Sequence, residues 1–467
     1  MLTHLRIRNF KAWKDTGPVR LAPLTVIFGS NSAGKSSLGH LLLALKQTAL
    51  SSDRRRALHL GDTHTLIDLG NFEDCLHGHD LGQTMSFELG WQLPRALEVR
   101  DPLRPNDPRF QGKHLKLTVE LGAGKTAQPE VKSIAYALGT PEMTTLDVSL
   151  VRDAHREFTL SSKDYRLVKS VGRKWPLDDP EKFYRASDVT LARFKNAGFL
   201  TDFALATEQM LGLFHYLGPL REHPRRSYQW AGDEPDDAGQ NGEYAIAAIL
   251  AAQASGRKLS RGPKKRQQPF AEFIATLMQE LGVIHSFAVK AVVEGRKEYE
   301  VLVKTHASAP EVKITDVGFG VSQVLPALVE AFYCAPHSVV WMEQPEIHLH
   351  PRVQSELADV LISATKAREN GADRDVQIIV ESHSEHLLSR LQRRVAEGVI
   401  TPQDVAIYFC RRSGSAAELE PLKLNGDGEI ENWPDNFFGD EMADVAGRMR
   451  AAMNRRRLGA TPAPERE

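Results

Sequence analysis

The chain has 467 residues, of which 42% are hydrophobic and 25% are charged, a composition typical of a soluble globular protein with roughly two to four lobes. Lys and Arg number 59 against 60 Asp and Glu, so there is no overall basic field, and nucleic acid could bind only at a local patch. Three widely separated cysteines argue against a disulfide framework and a cysteine-based zinc site. They fit a reducing compartment.

Membrane and secreted classes are also disfavoured. The longest nearly apolar run, Ala245 to Ala252, is far shorter than the ~20 residues that span a bilayer. The amino terminus alternates apolar and charged residues and lacks the apolar core of a signal peptide. We therefore expect a cytoplasmic protein.

The first elements predicted in chain order are strand, turn, strand and helix. Alternating residues predict a strand over Thr3–Asn9, and the β-branched run Leu24–Phe28 predicts a buried strand that ends at a glycine. Leucines at helical spacing predict a helix over 36–48. Residues 80–170 then contain short alternating segments separated by turn residues, which predicts antiparallel β structure.

The second half of the chain returns to alternating elements. Residues 178–214 have a helical pattern, and residues 256–269 form a polar, basic segment predicted to be a linker. Two strands are predicted within 284–305, and strands alternate with helices over 317–425. This alternation predicts an α/β fold with a parallel sheet.

The most specific motif follows the second predicted strand. The segment Gly29-Ser30-Asn31-Ser32-Ala33-Gly34-Lys35-Ser36 matches G-x-x-x-x-G-K-[ST] in full. In a strand–loop–helix context, the backbone N–H groups of such a loop bind a polyphosphate. We expect Lys35 to reach the β- and γ-phosphates of ATP, Ser36 to bind Mg²⁺ and Ser37 to complete the site.

An acidic residue ends a later strand. The apolar run His337–Met342 leads into Glu343, and a carboxylate at the carboxyl end of a parallel strand is the Walker B arrangement that holds Mg²⁺. The next residue is Gln344, where ABC-type ATPases usually have a glutamate that polarises the attacking water. Because glutamine cannot accept a proton, either Glu346 supplies the carboxylate or hydrolysis is slow, and the sequence leaves both open.

Two further motifs complete the series. The run Val376–Val380 predicts another buried strand, and His383 follows it, where it could hydrogen-bond the γ-phosphate and the attacking water. Upstream of Glu343, Gly318, Gly320 and Ser322 lie in a turn before an apolar helical pattern. That position corresponds to the signature with which ABC-type ATPases contact nucleotide held by another subunit. A glycine-rich helix start without such a contact is the alternative.

With these motifs in order, the chain resembles the ABC-type ATPase heads of the RecF/SMC class. It is most similar to the overcoming-lysogenisation-defect (OLD)-like group of bacterial AAA family ATPases, and its ending is similar to a domain of unknown function. The resemblance covers nearly the whole chain. Besides the four motifs, it depends on RIRNFKAW at 6–13, IDLGNFEDCLH at 67–77, HYLGPLR at 215–221, ESHSEHLL at 381–388 and GEIENWPDNFF at 428–438.

The resemblance implies a P-loop NTPase fold: an ABC-type head with an antiparallel β subdomain and a helical insertion. It implies four parts: an N-terminal ATPase lobe at 1–175, a helical insertion and basic linker at 176–282, a second ATPase lobe at 283–425 and a C-terminal extension at 426–467.

The resemblance also implies a function. ATP would drive dimerisation or higher assembly, and the protein would control a separate effector such as a nuclease, in phage defence or DNA maintenance. Too few residues follow the last core strand for the TOPRIM nuclease domain of the OLD nucleases.

Several alternatives stay open at this point. Arg221 could reach phosphate or form a structural ion pair, and the basic segment 256–269 could touch DNA or be a solvated loop. A RecF-like repair ATPase that binds DNA directly is the main rival function. The ATPase subunit of a membrane transporter and a small-metabolite kinase are less favoured.

Overall fold

The structure is a computed structural model of the chain. It describes residues 1–434 apart from 107–108, 171, 173–175 and 294, together with Phe437, residues 449–451 and Met453. Most of the predicted C-terminal extension at 426–467 therefore lies outside the described residues.

The described part contains two large sheets, two small sheets and a set of helices. In chain order, the strands are β1 (Leu2–Phe10), β2 (Trp13–Asp15), β3 (Val19–Arg20), β4 (Leu24–Gly29), β5 (Met85–Val99), β6 (Phe110–Ala123), β7 (Pro129–Gly139), β8 (Thr144–Arg152), β9 (Phe158–Ser161), β10 (Phe214–Leu217), β11 (Tyr228–Gln229), β12 (Lys258–Ser260), β13 (Gln268–Pro269), β14 (Ser286–Ala291), β15 (Glu298–Lys304), β16 (Val312–Lys313), β17 (Val339–Glu343), β18 (Arg368–Glu369), β19 (Ala372–Asp373), β20 (Gln377–Ser382), β21 (Val405–Ser413) and β22 (Ala416–Leu422). The α-helices are α1 (Lys35–Leu50), α2 (Phe72–Cys75), α3 (Asp188–Ala192), α4 (Phe199–Gly212), α5 (Ala245–Ala254), α6 (Phe270–Glu280), α7 (Phe319–Tyr333), α8 (Pro351–Thr365) and α9 (Glu385–Ala396).

One large sheet is antiparallel and comes from the N-terminal third of the chain. Its strand order is β2-β1-β5-β6-β7-β8-β9, with β3 also paired to β1. This confirms the antiparallel β structure predicted for residues 80–170. The strands are longer than predicted, as with β5, because their alternating burial continues beyond the predicted ends.

The other large sheet has the order β10-β17-β20-β4-β21-β22. All its pairings are parallel except that of β22 with β21. The predicted fold class, an α/β P-loop NTPase with antiparallel sheets, is therefore confirmed. Strand β4, from the N-terminal part, lies between β20 and β21 from the C-terminal part, so residues far apart in sequence meet where these strands end.

Helices and the antiparallel sheet cover the two faces of this central sheet. Trp341 and Ile379 belong to a core shared with the antiparallel sheet, α1 and α4. Their neighbours Val340 and Ile378 belong to a second core formed with α5 to α9. Such alternation is expected of a central strand buried on both faces. Helix α1 lies so close to β17 that a Cβ atom at Gly39 would be 2.7 Å from the Trp341 ring.

Two regions differ from the prediction. Strand β10 lies within 176–282, yet it is an edge strand of the central sheet, so this part is not only a helical insertion. The predicted basic linker forms β12 and β13, and β12 pairs with β18. Leu259 is buried, and Arg257 forms an ion pair of 2.8 Å with Glu369. Burial and pairing hold the two ends of the segment, whereas residues 263–267 between them are exposed, as expected of a solvated loop.

The side chain of Gln377 is one connection between the two large sheets. The Gln377 amide, at the start of β20, donates to the backbone oxygens of Leu2 and Ala22 at 2.8 and 2.9 Å. Its oxygen accepts from the Leu2 backbone N–H at 2.8 Å. The two buried hydrogen bonds with Leu2 join β1 of the antiparallel sheet to β20 of the central sheet, and the third reaches the segment before β4.

Candidate nucleotide-binding site

The predicted phosphate loop joins β4 to α1 and has the backbone that such a loop requires. Gly29 has a φ of +147° and Gly34 one of +102°, conformations that side chains disfavour. A Cβ atom at Gly29 would also lie 2.1 Å from the Cys410 backbone oxygen. Helix α1 then begins at Lys35, so its free N–H groups lie at the loop. The loop side chains that face solvent are those of Ser30, Asn31 and Ser32.

Two other predicted loop residues are buried. The Ala33 backbone oxygen accepts from the Cys410 thiol at 3.1 Å. The Ser37 hydroxyl donates to the Gly34 oxygen at 2.5 Å and accepts from the Trp13 indole N–H at 2.8 Å. These contacts hold the first turn of α1 in place, and a contact between Ser37 and nucleotide stays a prediction.

Lys35 is turned back onto the loop. Its Nζ donates to the backbone oxygens of Gly29 and Ser30, both at 2.9 Å, and lies 3.3 Å from His383 Nε2. Because an ammonium group can only donate, His383 Nε2 accepts and the ring proton is on Nδ1. Burial lowers the pKa of Lys35, and burial together with the Lys35 charge lowers the pKa of His383. The predicted sensor histidine therefore lies at the phosphate loop in its neutral form.

Two carboxylates converge on Ser36. Its Oγ is 3.0 Å from Glu343 Oε2 and 2.8 Å from Glu381 Oε2, so the structure brings Ser36 and Glu343 together. Glu381 pairs in register with Glu343 across β20 and β17. Burial and the neighbouring Glu343 charge raise the pKa of Glu381 to about 8. One hydroxyl proton cannot satisfy both acceptors, and the raised pKa of Glu381 reflects the cost of placing a second negative charge beside Glu343. A hydroxyl beside two carboxylates is an oxygen-only ligand set that fits Mg²⁺.

Other side chains hold Glu343 in place. The Tyr216 hydroxyl donates to Glu343 Oε1 at 2.5 Å, and Arg221 Nη2 donates to its backbone oxygen at 3.2 Å. His40 Nε2 lies 3.7 Å from Glu343 Oε1. Burial and the Glu343 charge raise the pKa of Tyr216 well above its usual range, so the phenol remains a donor. Arg221 thus contacts the backbone of the acidic strand end, and burial lowers its pKa to about 10.

Gln344 and Glu346, the two residues on which the question of the catalytic base depends, differ in their surroundings. Gln344 has a φ of +44°, and its backbone N–H donates to the Glu381 oxygen at 2.8 Å. Glu346 Oε1 accepts from the Ser382 hydroxyl at 2.7 Å and from the His383 backbone N–H at 2.8 Å. Its Oε2 is buried without a partner among the residues described. Burial raises the pKa of Glu346. Glu346 therefore supports the turn that carries His383.

The predicted signature turn begins α7. Gly318 is its N-cap residue and is exposed, whereas Ser322 is buried. A Cβ atom at Gly320 would lie 3.5 Å from the His348 oxygen and 3.6 Å from the Leu349 side chain. The turn therefore packs against the segment that follows Glu346, and its contact with a second subunit stays a prediction.

Sequence reasoning assigned no role to Glu381 or Tyr216. The signal for Glu381 is its place at the end of the buried strand β20, one strand away from β17. The signal for Tyr216 is its place in β10, next to the acidic strand. Recognising either residue requires knowledge of the strand order, and the local sequence around each residue does not contain it.

Comparisons with known proteins agree with this geometry. Residues 257–388 match a family model described as an AAA ATPase domain, and residues 400–446 match one described as a protein of unknown function (DUF3696). No curated protein matches the chain. Residues 257–388 are thus similar to an AAA ATPase domain, which accords with the P-loop NTPase fold. Among the described residues, no helix is both long and apolar enough to cross a membrane.

Three solved structures of SMC heads are similar at low identity. One is an SMC head bound to the C-terminal winged-helix domain of ScpA, with 11% identity, coverage of 91% of this chain and 98% of that chain, and a TM-score of 0.43. The SMC head domain from Thermotoga maritima has 10% identity, coverage of 90% and 99%, and a TM-score of 0.40. An SMC head with an extended coiled coil, bound to the C-terminal domain of ScpA derived from Pyrococcus furiosus, has 10% identity, coverage of 96% and 99%, and a TM-score of 0.41.

Proposed function

We propose that this chain is a cytoplasmic ATPase that binds ATP with Mg²⁺, hydrolyses it slowly and joins other copies of itself when nucleotide is bound. The observation that carries this proposal is the convergence of Ser36, Glu343 and Glu381 beside the loop that holds Lys35. A buried surplus of carboxylate oxygen next to a helix N-terminus suits a cation and a polyphosphate bound together.

Each group then has a role toward Mg-ATP. The backbone N–H groups of the loop bind the phosphates, and Lys35 exchanges its two backbone acceptors for phosphate oxygens. Ser36, Glu343 and Glu381 hold Mg²⁺, which supplies positive charge that stabilises the phosphates and the transition state when bound. His383, held by the Glu346 contact with its backbone, hydrogen-bonds the γ-phosphate.

Slow hydrolysis follows from Gln344 and Glu346. Gln344 has no basic oxygen to accept a proton from water. Glu346 is buried, with one oxygen engaged by Ser382 and the His383 backbone, so it acts as a positioning residue. The loss of a general base typically costs about 10²–10⁴ in rate. The ATP-bound state is therefore long-lived.

We also propose how copies of the chain assemble and what the assembly controls. Gly318, Gly320 and Ser322 contact nucleotide held by another copy, as the resemblance to ABC-type heads implies. The assembly controls a separate effector such as a nuclease, in phage defence or DNA maintenance, as in the OLD-like group. Direct DNA binding through the basic segment is less favoured, because Arg257 and Arg261 are paired with Glu369 and Glu280.

The nucleotide site is tested by the affinity for Mg-ATP. Lys35→Ala removes charged hydrogen bonds to phosphate, which are worth about 1.5–3 kcal/mol each, so we expect affinity to fall by roughly 10–100-fold or more in calorimetric titrations. Lys14→Ala, which removes an exposed lysine from β2, is the matched control and should bind as the parent does. Equal binding by Lys35→Ala and the parent would refute the site.

Assembly and turnover are tested together. Light scattering of the parent protein should show a larger particle with Mg-ATP than without, beside little phosphate release in the same sample. Loss of the larger particle in Lys35→Ala ties assembly to the site. A mass that is unchanged by Mg-ATP while ATP binds would refute nucleotide-linked assembly and leave the site intact.

A further inference from the structure

A second cluster of ligand-type side chains lies on the other side of β10 from Tyr216. His215 precedes Tyr216 on this strand, so their side chains point to opposite faces of the central sheet. Asp237 lies in the segment before α5, and Glu330 lies in α7. One potential ligand atom from each of these three residues lies within 4.8 Å of the other two.

The cluster contains buried atoms whose hydrogen bonding is incomplete. His215 Nδ1 is 3.0 Å from Asp237 Oδ2, and Glu330 Oε2 accepts from the Ala238 backbone N–H at 2.7 Å. His215 Nε2 and Glu330 Oε1 are both buried, and neither finds a partner within the described parts of the chain. His215 is 3% exposed and Glu330 is 0% exposed. Fully buried polar atoms without a hydrogen-bond partner are rare in folded proteins, so these two atoms need an explanation.

We propose that His215, Asp237 and Glu330 hold a divalent transition-metal ion of the Zn²⁺ type. One imidazole and two carboxylates form a ligand set that such ions use, and the two negative charges match a dication. Because His215 Nδ1 is hydrogen-bonded to Asp237 at 3.0 Å, the unpartnered Nε2 is the nitrogen left to bind the ion. The imidazole favours Zn²⁺ over Mg²⁺, which prefers oxygen ligands.

Two cationic side chains lie near the cluster. Lys46 and Arg221 act electrostatically on Glu330, and Lys46 also acts on Asp237. The Lys46 ammonium donates at 2.6 Å to the Phe214 backbone oxygen, so this hydrogen bond is made to the backbone and not to a ligand atom of the cluster.

This cluster is separate from the proposed Mg²⁺ site. The Mg²⁺ ligands end β17 and β20 beside the phosphate loop, whereas His215 lies on the edge strand β10 and faces α7 through Glu330. The inference therefore does not depend on ATP binding, and each site can be tested while the other is intact.

Cobalt is the probe, because Co²⁺ replaces Zn²⁺ and its absorption reports nitrogen and oxygen ligands. Purified full-length protein, treated with a chelator and then freed of it, is titrated with Co²⁺ without nucleotide. We expect one ion per chain, displaced by equimolar Zn²⁺. His215→Asn and Glu330→Gln should each weaken binding by roughly 100-fold or more, beyond the 10–100-fold typical of outer-shell changes.

Glu88→Gln is the control, because it removes a carboxylate from the antiparallel sheet, where Glu88 is paired with Lys116, and should leave Co²⁺ affinity unchanged. Excess Mg²⁺ in every titration keeps Co²⁺ from the site at Ser36 and Glu343. Circular dichroism establishes that each variant is folded, and His215→Gln or Asp237→Asn replaces a variant that does not fold. A parent protein that binds no Co²⁺ overturns the inference. So does Co²⁺ binding that persists in the folded cluster variants or is lost in Glu88→Gln.

Discussion

Carboxylates in two regions of the molecule have opposite surroundings. On the antiparallel sheet, Asp15 accepts from the Arg6 guanidinium at 2.7 and 3.0 Å and from Arg8 at 3.2 Å. Hydrogen bonding from Arg6 lowers the pKa of Asp15 to about 2. At the carboxyl ends of β17 and β20, Glu343 and Glu381 both contact the Ser36 hydroxyl, and burial raises the pKa of Glu381 to about 8. Asp15 is thus paired with two guanidinium groups, whereas Glu343 and Glu381 accept hydrogen bonds from the neutral donors Ser36, Tyr216 and Trp341.

The difference separates structural charges from functional ones. A paired surface carboxylate contributes modestly to stability and needs nothing further. A buried pair of carboxylates destabilises the folded chain until a cation neutralises it. We infer that the carboxylates at the ends of β17 and β20 lower the stability of the folded chain and that this cost maintains a ligand site. Variants that add or remove a carboxylate in each region test this inference.

The largest effect is expected from adding a carboxylate next to Glu343. Gln344→Glu supplies a proton acceptor where the attacking water is expected, so the rate of phosphate release under saturating Mg-ATP should rise by about 10²–10⁴. Gln344→Ala removes the amide without adding a base and should not raise the rate. Rapid release by the parent protein, lost in Glu346→Gln, would instead make Glu346 the base.

A smaller effect is expected from removing a carboxylate from the same strand ends. Glu381→Gln should raise the Mg²⁺ concentration needed for half-maximal ATP binding by roughly 10–100-fold, because a metal partner is lost. Without metal, the raised pKa of Glu381 predicts that the parent loses stability as pH rises from about 4.5 towards 8. The amide introduced by Glu381→Gln cannot ionise, so this part of the loss should disappear in thermal melts of the variant.

The control for this pair of measurements is Glu88→Gln. Glu88 lies on the antiparallel sheet and is paired with Lys116 at 3.0 Å, so its loss should not alter the Mg²⁺ requirement. If Glu381→Gln and Glu88→Gln required the same Mg²⁺ concentration as the parent, Glu381 would not be a metal partner.

The smallest effect is expected from removing the paired carboxylate of Asp15 on the antiparallel sheet. Asp15→Asn should lower the free energy of unfolding at pH 7 by less than about 1 kcal/mol, because the pair is partly exposed and screened by solvent. The pKa of Asp15 is lowered by folding, so its contribution is present above about 3.8 and is lost as pH falls towards 2. Denaturant titrations of the parent and Asp15→Asn at pH 7 and pH 2 measure the difference in the free energy of unfolding. The low-pH measurement is the control, and an equal loss at pH 2 and pH 7 would contradict the electrostatic explanation.

Much of the nucleotide site could be predicted from the sequence because its motifs are contiguous. The phosphate loop can be recognised from eight consecutive residues, 29–36. The contact between Ser36 and Glu343 follows from the rule that parallel strands end at one edge, and the structure has it at 3.0 Å. The catalytic and signature roles stay predictions, because no bound nucleotide or second subunit tests them.

The remaining features depend on contacts between distant segments. Glu381 becomes part of the site only because β20 lies between β17 and β4, an order that no local pattern contains. Strand β10 is too short to stand out beside the helical pattern before it, so Tyr216 and His215 were not assigned. The pairing of β12 within the basic segment 256–269 could not be predicted, because its partner strand β18 lies about a hundred residues away.

The amide of Gln377 has a mechanical consequence for the whole molecule. Strand β20 begins at this amide and ends next to His383, the residue proposed to contact the γ-phosphate. Two of its three buried hydrogen bonds, each worth about 1 kcal/mol net, go to Leu2 in β1 and resist sliding of one sheet over the other. A displacement of His383 along the strand would therefore be transmitted to the antiparallel sheet.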